Sequence, residues 1–409
     1  MIDLVELRTS YEKVKNLLEK KDPSYNVQKL FDLDVQVRSL NMAIERLRAE
    51  KNDLSARAKS GITPEIRDKS IIISKDLKEK ESEFEVLRKE FAEHYLNCPN
   101  IPQDDIPKGN KESNKVVKVV GEKPKFNFEV KNHIELAKIN GWLDFEAATK
   151  MTGSRFALYK KEAVGLVYSL AMLMLKNNVN HGFEPVLPPY LVNEKSLLVA
   201  SNFPKFKDQV YKIEDENLYL TPTAEVNLTN LYRDHIFNSV DLPVKMTAWT
   251  SCFRREAGTY GTTEHGLIRI HQFEKVELVT MCEPENSNAE LDKMVNCSEE
   301  ILKQLGLHYR ISLLAGQDCS FASSKTYDIE VWMPGQNAYY EVSSASNCTD
   351  FQARRGLIRY KKEQNSPTQL VHTLNASSLA LPRLMIALME TYQKEDGSIE
   401  LPEVLTKLF

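Results

Sequence analysis

Along residues 27 to 97 the apolar positions recur at alternating steps of three and four. Leu30, Leu33, Val37, Leu40, Ile44, Leu47, Lys51, Leu54 and Ala58 make one series, and Ile66, Ser70, Ile73, Leu77, Lys80, Phe84, Leu87 and Phe91 a second. A 3-4 repeat held over about four heptads is a coiled-coil seam. Between the two series stands Ser60-Gly61-Ile62-Thr63-Pro64. Gly61 suits a C-cap, Thr63 an N-cap and Pro64 the first helical position. The pattern predicts two antiparallel helices, about 27–59 and 64–97, reversed by a short turn. At ~1.5 Å per residue each helix would run on the order of 45 Å, too long for its own chain to cover, so the pair should project as an arm.

Beyond the arm the pattern changes. The stretch from Cys98 to Lys125 is rich in Pro, Asn, Gly and Lys, as a linker is. From Phe126 to Phe409 helical and strand-like periods mix, with no β-α-β rhythm, no G-x-G-x-x-G and no Walker loop. The expected organisation is an N-terminal domain over 1–108, a linker over 109–125 and a domain over 126–409. The fold class is α+β, the last domain being an antiparallel sheet flanked by helices.

Composition adds constraints. The net charge of the 409 residues is only −4, so any surface for a polyanion must be local. The arm supplies one: residues 38–80 hold 11 Lys+Arg against 7 Asp+Glu, while 27–37 with 81–97 hold 3 against 7. A basic tip on an acidic stalk suits phosphate contact far from the body, although the heptads alone equally allow a coiled coil that contacts protein. Six scattered cysteines, with no C-x-x-C and no Cys/His cluster, predict reduced thiols and no zinc site. The start is acidic and no apolar run approaches the ~20 residues of a membrane helix, so a cytoplasmic protein with no membrane association is expected.

The stretch Gly266 to Val279 carries candidate chemistry. As one strand of period two, it would put Ile268, Ile270, Val276 and Leu278 on a core face and Arg269, His271, Phe273, Lys275 and Glu277 on the other. Phe273 and Glu277 would stand roughly 13 Å apart, which suits an extended adenylate. Upstream, Arg254 and Glu256 would share a strand face before a flexible Gly258-Thr259-Tyr260-Gly261 stretch.

Those residues carry a resemblance. Phe253-Arg254-Arg255-Glu256, a glycine-containing loop, then Arg269 and Phe273, resemble motif 2 of the class II aminoacyl-tRNA synthetases. Thr221 to Glu225, Glu341 to Ser344 and Leu374 to Arg383 stand in the order and spacing of the seryl enzymes, and the heptad arm is also a seryl feature. The resemblance implies a class II catalytic domain that activates L-serine with ATP and transfers it to serine tRNA, with selenocysteine tRNA as a second candidate acceptor. The arm would grip the long variable arm of the tRNA by backbone shape.

The resemblance also implies roles. Arg254 would bind both the α-phosphate and the serine carboxylate, since a guanidinium fork suits both anions. Glu256 would accept from the adenine amino group, Phe273 and Arg383 would sandwich the ring, and Arg269 would meet the γ-phosphate. Arg255, Val342 and Ser343 complete the ATP set. Glu341 and Ser344 would hold Mg2+ on the phosphates. Thr223, Ala224, Glu225, Asn375, Glu277 and Ser377 would bind serine, Thr223 and Glu225 at the ammonium, Glu277 and Ser377 at the hydroxyl. Arg254, Glu341 and Arg383 would be the catalytic groups. His181 to Val192 resembles motif 1 and implies a homodimer.

Three departures touch loop shape. The family's glycines are replaced at Ala376, Ser378 and Pro382, His265 stands where arginine is frequent, and Ala200-Ser201-Asn202-Phe203 replaces a glycine-containing stretch. His271 and His372 read as structural hydrogen-bonders, and Cys252 and Cys348 as packing residues.

Overall fold

The computed structural model describes residues 1–59, 61–257 and 266–406. They form two compact units, Met1–Pro99 and Asn100–Phe409.

In the first unit, α1 (Val27–Ala58) and α2 (Pro64–Leu96) are the expected antiparallel pair. Leu30, Leu33, Ile44, Leu54 and Leu77 are buried in the seam, the other heptad positions are half-buried, and the off-register Ile71, Ile72 and Val86 are exposed. The period therefore predicts the packed face position by position. Thr63 caps α2 by accepting from the Ile66 amide at 3.3 Å, with Pro64 in the first turn. At the arm's base Asp34 is buried and receives a two-pronged contact from Arg8 at 2.7 and 2.6 Å.

The second unit is built on an eight-stranded sheet of β1 (Lys115–Val120), β2 (Glu184–Pro185), β3 (Val244–Phe253), β4 (Gln272–Cys282), β5 (Tyr309–Leu313), β6 (Lys325–Met333), β7 (Ala338–Asn347) and β8 (His372–Ala380). The order is β1-β5-β6-β7-β8-β4-β3-β2, antiparallel throughout except for the short β2–β3 pair. The sheet corrects one boundary. Residues 115–120, expected within a linker, pair with β5 as the edge strand. Val116, Val117 and Val119 alternate with Lys115 and Lys118 too weakly to be read as a strand without that partner. Asn100 likewise belongs to the second unit, its side chain donating to the carbonyls of Ala322 and Cys348.

The two faces of central strand β4 explain where the site lies. Val276, Leu278 and Cys282 point into the main core, which also contains α3 (Glu162–Asn180), α5 (Ser287–Gln304) and α6 (Leu381–Thr391). On the opposite face Val279 and Met281 pack with Ala224 and Leu228 of α4 (Ala224–Leu231). The same face carries Phe273, Lys275 and Glu277 nearer the strand's start, where polar side chains replace apolar ones. No helix among the described residues is long and apolar enough to cross a membrane.

Candidate active site

A cavity of about 310 Å³ opens over that polar end of the sheet, lined by Arg254, Glu256, Arg269, Phe273, Lys275, Glu341, Ser377 and Arg383 with apolar walls from Leu267, Ile268, Ile270, Ala380 and Pro382. Four segments, 254–256, 267–275, 341 and 377–383, thus deliver three guanidinium groups to one pocket, a charge density suited to a polyphosphate.

Two bulges aim these groups. Glu341 and Ser344 are three apart, which in a regular strand would put them on opposite faces. In β7 the register shifts between Glu341 and Ser343, so that Glu341 opposes Glu330 and Ser344 opposes Asp328. Those partners are two apart, so the bulge at Val342 brings Glu341 and Ser344 onto one face. In β8 a second bulge at Ser378 sets Ser377 opposite Glu277 and Ala380 opposite Lys275. Ser377 and Ala380 consequently both face the cavity.

Four of the proposed serine groups, Thr223, Glu225, Glu277 and Asn375, are linked by hydrogen bonds. Thr223 is the N-cap of α4, accepting from the Glu225 amide at 3.2 Å while its hydroxyl donates to Glu277 Oε2 at 2.7 Å. Glu225 Oε1 accepts from Gln352 Nε2 at 2.6 Å and Asn375 Nδ2 at 3.0 Å. Asn375 therefore orients Glu225. Burial, reinforced by the nearby Glu277 carboxylate, pushes the Glu225 carboxyl up to about 7. Ala224 is buried in the first turn of α4.

The groups expected at the nucleotide are braced from the backbone. Arg254 Nε donates to the Pro222 carbonyl at 3.2 Å, and its guanidinium stands 5.2 Å from the centre of the Phe273 ring. Arg383 donates to the Glu341 carbonyl at 2.8 Å and lies 3.4 Å from its carboxylate. Arg269 is 3.5 Å from Glu256. Asp328 lies beneath Glu341 and Ser344 with Oδ1 buried and unpartnered; burial and the Glu341 charge hold its carboxyl well above the usual range.

Several expectations change. β4 begins at Gln272, so Arg269 and His271 reach their places from turns rather than from the strand. β3 ends at Phe253, and Glu256 has φ of 48°, so Arg254 and Glu256 do not share a strand face. Leu267, Ile268 and Ile270 are buried in the core, which holds that loop in place without a ladder. Arg255 is exposed and outside the cavity lining. Val342 and Ser343 are buried, the latter donating to the Ser377 carbonyl. Lys275 lines the cavity and was not among the expected site residues, although the strand period had put it on the site's face. The Gly258 to Gly261 stretch and His265 lie outside the described residues.

The expectations for His271, His372, Cys252 and Cys348 hold. His271 contacts the Arg254 carbonyl at 2.9 Å and His372 contacts Ser287 Oγ at 3.0 Å. Cys252 and Cys348 are buried, and burial raises the Cys252 thiol. Among the described residues no three His, Cys, Asp or Glu side chains are grouped to hold a metal ion.

Family models match the chain in two places: residues 1–102 fit the seryl-tRNA synthetase N-terminal domain, and 211–392 the tRNA synthetase class II core domain (G, H, P, S and T). The serine–tRNA ligase of Ureaplasma parvum is 46% identical, covering 98% of this chain and 97% of its own length. That of Syntrophobacter fumaroxidans is 43% identical over 99% and 97%. Among solved structures, Pyrococcus horikoshii seryl-tRNA synthetase complexed with ATP is similar at a TM-score of 0.93, with 35% identity over 100% of this chain and 98% of that one.

Proposed function

This chain belongs to the seryl-tRNA synthetase family, the ATP-dependent serine–tRNA ligases of class II, and we propose that its cavity and its arm divide the labour of the reaction. In the first step a serine carboxylate oxygen attacks the α-phosphorus of ATP, the bond to pyrophosphate breaks, and seryl-adenylate forms. In the second a terminal ribose hydroxyl of serine tRNA attacks the seryl carbonyl and AMP leaves.

The single observation that carries this reading is one cavity lined by Arg254, Arg269 and Arg383 and also by Lys275, which is tied to Thr223 and Glu277. Arg254 spans the two subsites, neutralising the serine carboxylate and stabilising charge that grows on the α-phosphate. Phe273 and Arg383 hold adenine between them, with Glu256 accepting from its amino group. Arg269 meets the γ-phosphate. Glu225 receives the substrate ammonium, and Glu277 with Ser377 receives its hydroxyl, so that an analogue lacking the hydroxyl leaves one oxygen of a buried carboxylate without a partner.

Glu341 and Ser344 fit a magnesium ion, because the bulge puts both oxygens on one face and a buried, unpartnered Asp328 oxygen stands on the residue opposite Ser344. Such an ion supplies charge neutralisation to the ATP phosphates when bound. With so few protein donors it would need phosphate oxygens to complete its shell.

The arm's basic distal half supports tRNA contact there. A homodimer in the cytoplasm is part of the same proposal. Its support is an exposed apolar stripe on α3 (Val164, Tyr168, Met172, Val179), continued by Leu187, which is 84% exposed, and by Tyr190. Serine-dependent ATP–pyrophosphate exchange, followed by charging of serine tRNA, tests the whole. Deleting residues 35–90 should spare exchange and abolish charging. Absent exchange with serine overturns the catalytic reading, and charging that survives the deletion overturns the role of the arm.

A further inference from the structure

Lys275 sits on central strand β4, its side chain only 8% exposed beside a Glu277 side chain that is 2% exposed. Residues two apart on a strand share a face, so the lysine stem can run along the strand to its neighbour. The residues opposite it are small, Thr250 on β3 and Ala380 on β8, which leaves room for that path. Nζ donates to Thr223 Oγ1 at 2.9 Å and contacts Glu277 Oε2 directly. The Thr223 hydroxyl donates to that same Oε2 at 2.7 Å. The three side chains close a triangle on one oxygen, and no hydrogen bond among the described residues reaches Glu277 Oε1.

A free ammonium would be misplaced here. The subsite has to receive the cationic end of an amino acid, and a second unspent cation would repel it. The triangle removes that conflict by tying the lysine charge to Glu277.

We infer that Lys275 is a positioning and specificity residue of the serine pocket, which pins Glu277 by one oxygen so that the other is presented, immobile, to the substrate hydroxyl. The inference rests on the reading of Glu277 as the hydroxyl acceptor. A pinned carboxylate cannot swing away to satisfy its second oxygen when alanine enters, so alanine bears the full cost of leaving that oxygen without a partner. A carboxylate released from the clamp can relax, and discrimination falls. Lys275 also acts on the ammonium end: the charges facing Glu225 are Glu277, Lys275 and Arg254, the last two drawing its carboxyl down against burial and Glu277. Cys252 is the other titratable group near the cluster and is held neutral by burial.

The test is ATP–pyrophosphate exchange by the full-length enzyme with serine and with alanine, for Lys275→Met, Glu277→Gln and the double variant. Lys275→Met should raise the serine KM by about tenfold, narrow the serine-over-alanine preference by about as much, and leave the ATP KM within about twofold. It should also shift the acid limb of the serine KM profile to higher pH, and the double variant should be little worse than Glu277→Gln alone. A lysine that only stabilises the fold would lower the melting temperature while serine KM, selectivity and pH limb stay put, and that result overturns the inference. If Glu277→Gln also leaves the serine KM unchanged, the reading of the pocket itself fails; if only Lys275→Met is silent, the pocket stands and the clamp falls. Should Lys275→Met not fold, Lys275→Arg decides: it keeps the charge but replaces a point donor by a planar fork, so lost selectivity supports the clamp and retained selectivity overturns it.

Discussion

Two residues carry the clearest consequences of their environments. Ser201 has φ of 72°, is 3% exposed, and its hydroxyl is buried without a partner. It stands in the stretch where the family has a glycine. A side chain in the left-handed region costs about 1–2 kcal/mol, and glycine's extra chain entropy offsets part of the gain on replacing it. Ser201→Gly should therefore raise stability by about 1 kcal/mol, read as a higher urea midpoint at unchanged slope. Ala376 and Ser378 also replace family glycines but are not in positive φ, so they carry no such strain. Glu225 makes the second case. Its carboxyl titrates near 7, so below that pH it is mostly neutral and cannot pair with an ammonium. The serine KM should fall about tenfold between pH 6 and pH 8, while the ATP KM stays flat and Glu225→Gln loses the dependence. A serine KM that is constant over that range would show that Glu225 does not meet the substrate's charge.

At the scale of elements, the arm and the bulged strands behave differently. The arm is held by side chains three and four apart, and Ile44, 2% exposed, sits in the middle of its seam. Ile44→Ala should cost about 3 kcal/mol of local stability. Amide exchange should quicken in α1 and α2, and the KM for tRNA should rise, with serine-dependent pyrophosphate exchange unaltered. Loss of exchange activity in that variant would contradict an arm that serves tRNA alone. The bulges in β7 and β8 make the opposite point: one extra residue in each strand decides which side chains reach the cavity. Their spacing in sequence, Glu341 to Ser344 and Ser377 to Ala380, signals a bulge only once the neighbouring strand supplies the register.

For the whole molecule, the exposed Val164, Tyr168, Met172 and Val179 recur at steps of four and seven along one face of α3, and Leu187 nearby in sequence is also exposed. An isologous pair would bury these side chains on both copies at once. Leu187→Glu combined with Met172→Glu should shift sedimentation from a dimer to a monomer; a wild-type chain that sediments as a monomer at micromolar concentration would remove the proposal.

How much of this was legible beforehand follows from the range of the forces concerned. The packed face of the coiled coil was readable because positions three and four apart share one side of a helix, and a cap and a proline mark the turn that brings the two faces together. The alternation of Phe273, Lys275 and Glu277 against Val276 and Leu278 was readable for the same reason. What sequence period could not supply was anything set by a neighbour distant in the chain. Residues 115–120 became a strand through β5, and Arg269 left the expected strand for a loop held by the core. The resemblance named the groups around ATP and serine, but Lys275 entered the site only when Thr223, 52 residues away in sequence, came within hydrogen-bonding distance. The chain's own pattern determined its elements and the chemical types at the site. The tertiary structure decided which of them meet, because burial and hydrogen-bond geometry are properties of contacts between segments and not of either segment alone.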